Sequence, residues 1–166
     1  MRQKPPILNL DEVELKPWQH GESFAAQLGA IGQPIGARKL GARLVVLPPG
    51  KAAWPFHAHY VNEEMFFIVE GRGTLRLGEE RHPLRSGDVI ALPAGPEHPH
   101  QIVNDSDAPL RYLAISTMEE PDIVTMPDSD KLGIMAGSPP GGDKARRTLT
   151  TYFPRRAEVD YWEEER

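Results

Sequence analysis

Hydrophobic residues in this chain fall into short runs broken at close intervals by turn-forming residues, a pattern that predicts strands. Runs at 38–47, 64–69, 73–77, 88–92, 100–103 and 110–117 have strand length. Between them lie Pro48-Pro49-Gly50, Gly71-Arg72-Gly73, Gly78-Glu79-Glu80, Ser86-Gly87 and Asn104-Asp105-Ser106-Asp107. Each cluster holds residues that tolerate positive φ or preset a turn. Short strands in such succession predict an all-β sandwich or barrel. The run Met65-Phe66-Phe67-Ile68-Val69 is apolar at every position, which predicts burial on both faces, against a second sheet or a partner subunit. The best helix candidate is one short stretch around 22–28.

Two segments differ from the rest. Residues 1–16 are polar and contain prolines, and predict an arm lying across the barrel or a neighbouring subunit. Residues 135–144 include Gly137-Ser138-Pro139-Pro140-Gly141-Gly142 and predict a loop, with the role of a lid open to it. Beyond it, 147–153 offers one more strand, and the tail from 159 ends acidic. With no internal repeat, the expected layout is an arm and edge strand over 1–35, one barrel over 36–135, and a loop and tail over 136–166. The arm-like ends and the doubly apolar run together predict a homodimer.

Composition narrows the chemistry. The length of 166 residues suits one domain. A net charge of −5 argues against a dedicated nucleic-acid surface. Cysteine is absent, which excludes disulfides, thiolate metal sites and a cysteine nucleophile. Any metal must therefore sit on His, Asp or Glu. No apolar run approaches the roughly 18 residues that cross a bilayer, and 1–16 lacks the apolar centre of a signal peptide. The expectation is a cytoplasmic protein with neither membrane nor nucleic acid as partner.

Four of the six histidines form two close pairs. His57 and His59 are two apart, so on an extended strand both rings point to one face. Glu63 and Glu64 follow where the chain enters the next strand. Later comes His98-Pro99-His100, followed by Gln101, Ile102, Val103 and Asn104. Imidazole plus carboxylate suits divalent first-row metals. Two such pairs with a carboxylate, on strands of one barrel, form a far stronger signal than a single pair.

The stretch from Gly50 to Gly71 resembles the first cupin motif, in which Gly leads to His-x-His, then Glu, then Gly. Here Gly50 is followed by His57, His59, Glu64 and Gly71, with six residues between Gly50 and His57 where the motif has five. Gly87, Pro93 and Gly95 resemble the second motif, in which two residues separate Pro-x-Gly from the ligand His and three more separate that His from an Asn. His98 has the spacing from Gly95, and His100 has the spacing to Asn104. A turn absorbs an insertion more easily than a strand loses register, so His100 is the expected ligand and His98 the competing position.

The runs PAGPEHPHQIVNDSDAPLRYLAIST and EEMFFIVEG are also similar to small single-domain bacterial cupins, some of them named as sugar-phosphate isomerases. The resemblance implies a double-stranded β-helix, or jelly-roll, barrel in which His57, His59, Glu64 and His100 hold one divalent ion, Fe, Mn, Ni or Zn. It further implies a metal-dependent enzyme acting on a small oxygen-rich molecule, by isomerisation or by dioxygenation, or else a non-catalytic binding or sensing module. An isomerase needs a base close to the substrate proton, and Glu63, His98, Tyr60 and Tyr112 are the candidates.

Other features have plainer readings. His20 and His82 stand outside any cluster and read as surface residues. Trp54 and Phe56 read as packing, and Asn104 as a turn hydrogen-bonder. Arg76 and Arg111 sit on strands, where ion pairing is the common outcome and binding of an anionic substrate the alternative. Asp128-Ser129-Asp130 lacks the Gly and distal Glu of a calcium loop.

Overall fold

The structure is a computed structural model and describes residues 6–165. Among the described residues there are thirteen strands: β1 (Lys16–His20), β2 (Phe24–Ala30), β3 (Leu40–Leu47), β4 (Ala58–His59), β5 (Glu64–Glu70), β6 (Arg72–Leu77), β7 (Glu80–Arg85), β8 (Val89–Leu92), β9 (His100–Val103), β10 (Leu110–Thr117), β11 (Asp122–Met126), β12 (Lys131–Ala136) and β13 (Leu149–Pro154). Among the described residues the only helical elements are single 3₁₀ turns.

One layer is a six-stranded sheet ordered β1-β2-β3-β10-β5-β8, with every pair antiparallel. Opposite it lie a four-stranded sheet, β13-β12-β11-β4, and a three-stranded sheet, β7-β6-β9. An antiparallel bridge between His57 and His100 joins these last two along one edge. The core fills the space between the layers. Val45, Leu47, Phe66, Ile68, Leu92, Leu110 and Tyr112 of the large sheet meet Leu75, Leu84 and Ile102 of the other. This is the expected double-stranded β-helix, or jelly-roll, barrel.

Local chemistry explains where expectation and structure part. Residues 22–28 form no helix; β2 runs through Phe24–Ala30 with its ladder bonds to β1 and β3 satisfied, and that pairing overrides a short helical spacing. The polar strand β7 shows no apolar pattern, since Leu84 is its one buried residue. The run at 65–69 alternates as an ordinary sheet strand does. Phe66 and Ile68 face the core, whereas Met65 and Phe67 are 45% and 38% exposed on the outer face, beside Val89. In the single chain, burial on both faces is therefore not realised.

The arm crosses its own sheet. Val13 is buried against Gly29 of β2, where a Cβ would collide with the Val13 side chain, and Asp11 approaches Arg111 of β10 at 3.7 Å. Residues 1–5 of the expected arm and residue 166 of the tail lie outside the described residues. The expected late strand is β13, paired with β12 of the same chain. The Gly/Pro segment is a folded loop: Arg147 donates to the carbonyls of Ser138 and Pro139, and both of those residues are buried.

Asn104 is fully buried and donates to the carbonyls of Leu47 and Ala108 while accepting from the Ser106 amide. It pins the turn between β9 and β10. Arg76 forms a two-pronged pair with Asp128 and stacks on Phe56, and Arg111 pairs with Glu70. Both strand arginines are thus engaged in ion pairs. His20 and His82 are exposed.

Candidate metal centre

The two histidine pairs meet because their strands are neighbours. His57 and His100 exchange both backbone hydrogen bonds, at 3.1 and 2.8 Å, which places β4 and β9 side by side. The His57 ring lies 4.8 Å from the His100 ring and 5.0 Å from the His59 ring, centroid to centroid. Glu64, the first residue of β5, reaches across from the opposite sheet. Its Oε2 is 2.9 Å from His100 Nε2 and 3.7 Å from His59 Nε2. Donor atoms of His57, His59 and Glu64 lie within 4.8 Å of one another, and His100 joins the group through Glu64.

The far nitrogen of each ring is already engaged. His57 Nδ1 lies 2.8 Å from the Pro55 carbonyl, His100 Nδ1 lies 3.1 Å from the His98 carbonyl, and His59 Nδ1 lies 2.6 Å from Asp122 Oδ2. Carbonyl and carboxylate oxygens only accept, so each Nδ1 carries the proton and donates it. A neutral ring then presents its bare Nε2 lone pair to the Glu64 carboxylate. Lone pairs facing each other at 2.9 Å need a positive charge between them, supplied by a second proton or by a cation shared among the donors. This donor set, all imidazole and carboxylate with Nδ1 held from behind, fits a divalent transition ion.

Electrostatics follow from burial. Burial, with the neighbouring His100 and His59 charges, holds His57 from its ordinary 6.5 down to about 3. Burial raises the Glu64 carboxyl, but the His100 hydrogen bond and the surrounding imidazoles outweigh it and bring it to about 2. Burial also opposes charge on His59, yet the Asp122 hydrogen bond and the Glu64 and Asp122 charges carry it above 6.5.

These shifts give the metal-free protein a pH dependence of stability. Between pH 6.5 and about 3 the unfolded chain protonates His57 while the folded chain does not, so stability falls on acidification. Glu64 adds to that loss between its ordinary 4.5 and about 2. His59 acts oppositely, contributing stability that is present below pH 6.5 and lost as pH rises through its folded value. Urea midpoints of the metal-free protein are expected to drop from pH 6.5 to pH 4, and His57→Phe is expected to flatten the drop. An equal drop in that variant would remove His57 as the cause.

The other expected candidates fall in different places. Tyr112 is buried and, with Trp54, His57, Phe66, His100 and Gln101, lines a small cavity beside the cluster, about 10 Å³ and so room for at most one water. Burial, then the Glu64 charge, pushes its hydroxyl well above the ordinary value. His98 is half-buried in the turn before β9. Tyr60 and Glu63 are exposed. Asp122, fully buried on β11 and also accepting from the Val61 amide, was not singled out from the sequence. Its signal was present but slight: a five-residue run, Asp122 to Met126, bounded by Pro121 and Pro127.

A family model described as a cupin domain matches residues 43–116. These residues form a cupin domain. They contain the whole histidine–glutamate cluster, whereas Asp122 lies just beyond them. Among curated proteins, the uncharacterized protein MJ1618 of Methanocaldococcus jannaschii is 42% identical over 60 residues, covering 36% of this chain and 46% of that protein. Quercetin 2,3-dioxygenase of Bacillus subtilis is 37% identical over 60 residues, covering 36% of this chain and 18% of the enzyme. The matched stretch thus spans less than half of either relative. Among solved structures, a sugar phosphate isomerase of a cupin superfamily from Silicibacter pomeroyi superposes with a TM-score of 0.75 at 25% identity, covering 92% of this chain and 95% of that one. No helix among the described residues is long and apolar enough to cross a membrane.

Proposed function

We infer that this cupin holds one divalent first-row transition ion on His57, His59, Glu64 and His100 and isomerises a small sugar-phosphate-like molecule. One observation carries the reading: three imidazoles have Nδ1 engaged, those of His59 and His100 aim Nε2 at the Glu64 carboxylate, and a donor atom of His57 lies within 4.8 Å of those of His59 and Glu64. The likeness to the Silicibacter pomeroyi sugar phosphate isomerase, which runs nearly end to end, supports the reaction class. A bound ion of this type polarises a carbonyl or hydroxyl and makes its neighbouring protons easier to remove.

The chain's own residues supply the rest. Trp54 and Phe66 give the cavity apolar walls that limit water. Tyr112 keeps its proton and serves as a hydrogen-bond donor to a substrate oxygen, which leaves proton removal to His98, Glu63 or Tyr60. The exposed outer face around Met65, Phe67 and Val89 supports assembly as a homodimer.

The test is NMR in D₂O with a panel of aldose and ketose phosphates. Metal-dependent deuterium incorporation next to the carbonyl is expected. The match to quercetin 2,3-dioxygenase favours a second reading, dioxygenation. Iron-dependent oxygen uptake with flavonols or catechols, without exchange, would select it. Tight binding with neither exchange nor uptake would leave a sensing module.

A further inference from the structure

We propose that Arg43 binds an oxyanion of the substrate, a phosphate ester or a carboxylate, beside the histidine–glutamate cluster. The proposal rests on the barrel interior being the substrate site. Arg43 lies on β3 at alternate positions with Val45 and Leu47, both fully buried, so its side chain starts on the inner face. The guanidinium sits 5.7 Å from the Trp54 ring centroid and close enough to Glu64 and Tyr112 to feel both electrostatically.

What sets Arg43 apart is that it combines an inward-facing, desolvated position with the absence, among the described residues, of a counter-ion in contact. Arg76 has Asp128, Arg111 has Glu70 and Asp11, and Arg85 has Asp88. Among the described residues Arg43 makes one side-chain hydrogen bond, from Nη2 to the Gly141 carbonyl at 3.2 Å. A guanidinium carries five N–H donors, so most of its fork faces no protein acceptor. Glu64 is near enough to be felt electrostatically but makes no ion pair or hydrogen bond with Arg43, and its Oε2 faces His100. Burial works against the Arg43 charge, and Glu64 offsets only part of that cost. A poorly solvated cation with an open planar fork matches phosphate and carboxylate oxygens in charge and shape. Trp54 holds the fork from one side by cation–π contact. An arriving oxyanion competes with Gly141 for Nη2, which ties occupancy to the folded loop 137–142.

The experiment uses full-length, metal-loaded, ¹⁵N-labelled protein. It is titrated separately with glycerol 3-phosphate, glycolate and neutral glycerol while the Arg43 Nε–H resonance is followed. Metal content is measured on the same samples. At least one oxyanion is expected to shift that resonance, and glycerol is not. Tighter binding of glycerol 3-phosphate assigns a phosphate ester, and tighter binding of glycolate assigns a carboxylate. Arg43→Gln is expected to weaken the oxyanion at least about tenfold, the loss of one charge-assisted pair, with metal content unchanged. Arg43→Lys, a point charge without the fork, is expected to recover only part of the affinity. An Arg43 resonance that no oxyanion moves, a shift produced equally by glycerol, or unchanged affinity in folded Arg43→Gln would each overturn the proposal. Wild-type protein that takes up no metal would count against the metal reading alone, since the resonance reports on Arg43 with or without the ion.

Discussion

Glu64→Ala is expected to strip the barrel of its metal. Glu64 is the single carboxylate in the cluster, with Oε2 2.9 Å from His100 Nε2 and 3.7 Å from His59 Nε2. Without it, a divalent ion would face only neutral imidazoles, with no negative charge in direct contact to offset its lost hydration and only the Asp122 carboxylate left behind the His59 ring. The fall in affinity is expected to exceed the roughly 10–100-fold that removal of an outer hydrogen-bond partner costs at metal sites. Competition against a chromophoric chelator, with circular dichroism as a check on folding, measures it. Glu64→Gln, which keeps the shape and removes the charge, is expected to fall in the same direction. Wild-type affinity in the folded Ala variant would remove Glu64 from the ligand set.

Asp122 carries the second large effect. Its carboxylate is fully buried and lies 2.6 Å from His59 Nδ1, so it fixes the ring's tautomer and aims Nε2 at the cluster. Asp122→Asn can still accept from Nδ1 but removes the charge behind the ring, whereas Asp122→Ala leaves a buried N–H without a partner. Affinity losses of about 10-fold and up to about 100-fold are expected, respectively. A merely structural role would lower stability and leave affinity alone. The discriminating readout is therefore the ¹⁵N spectrum of the metal-free protein: wild type is expected to hold His59 as the Nδ1–H tautomer, and Asp122→Ala to mix tautomers. Unchanged affinity and an unchanged tautomer would show Asp122 to be packing alone.

Much of this molecule was legible before any coordinates, for reasons that differ by residue. Strands β9 and β10 could be bounded because apolar runs there end in turn residues, at Asn104-Asp105-Ser106-Asp107 above all. His57 and His59 could be paired because a spacing of two puts both on one face of an extended chain. His98 and His100 could not be separated by spacing alone. Placing His98 in a turn and His100 opposite His57 depends on a contact between residues far apart in sequence. Strand β7 was illegible because its composition is polar, and β4 because two residues carry no period. Asp122 and Arg43 escaped for a shared reason. Each is one charged residue in a mostly apolar strand, and what it does depends on what lies across the barrel.

The most direct measurement is metal content by mass spectrometry on untagged wild type, His98→Ala and His100→Ala. The expected result is near-stoichiometric metal in wild type, retained in His98→Ala and lost in His100→Ala. Loss in His98→Ala with retention in His100→Ala would move the fourth ligand into the turn. A wild-type protein that holds no metal, even after reloading, would contradict the account at its centre.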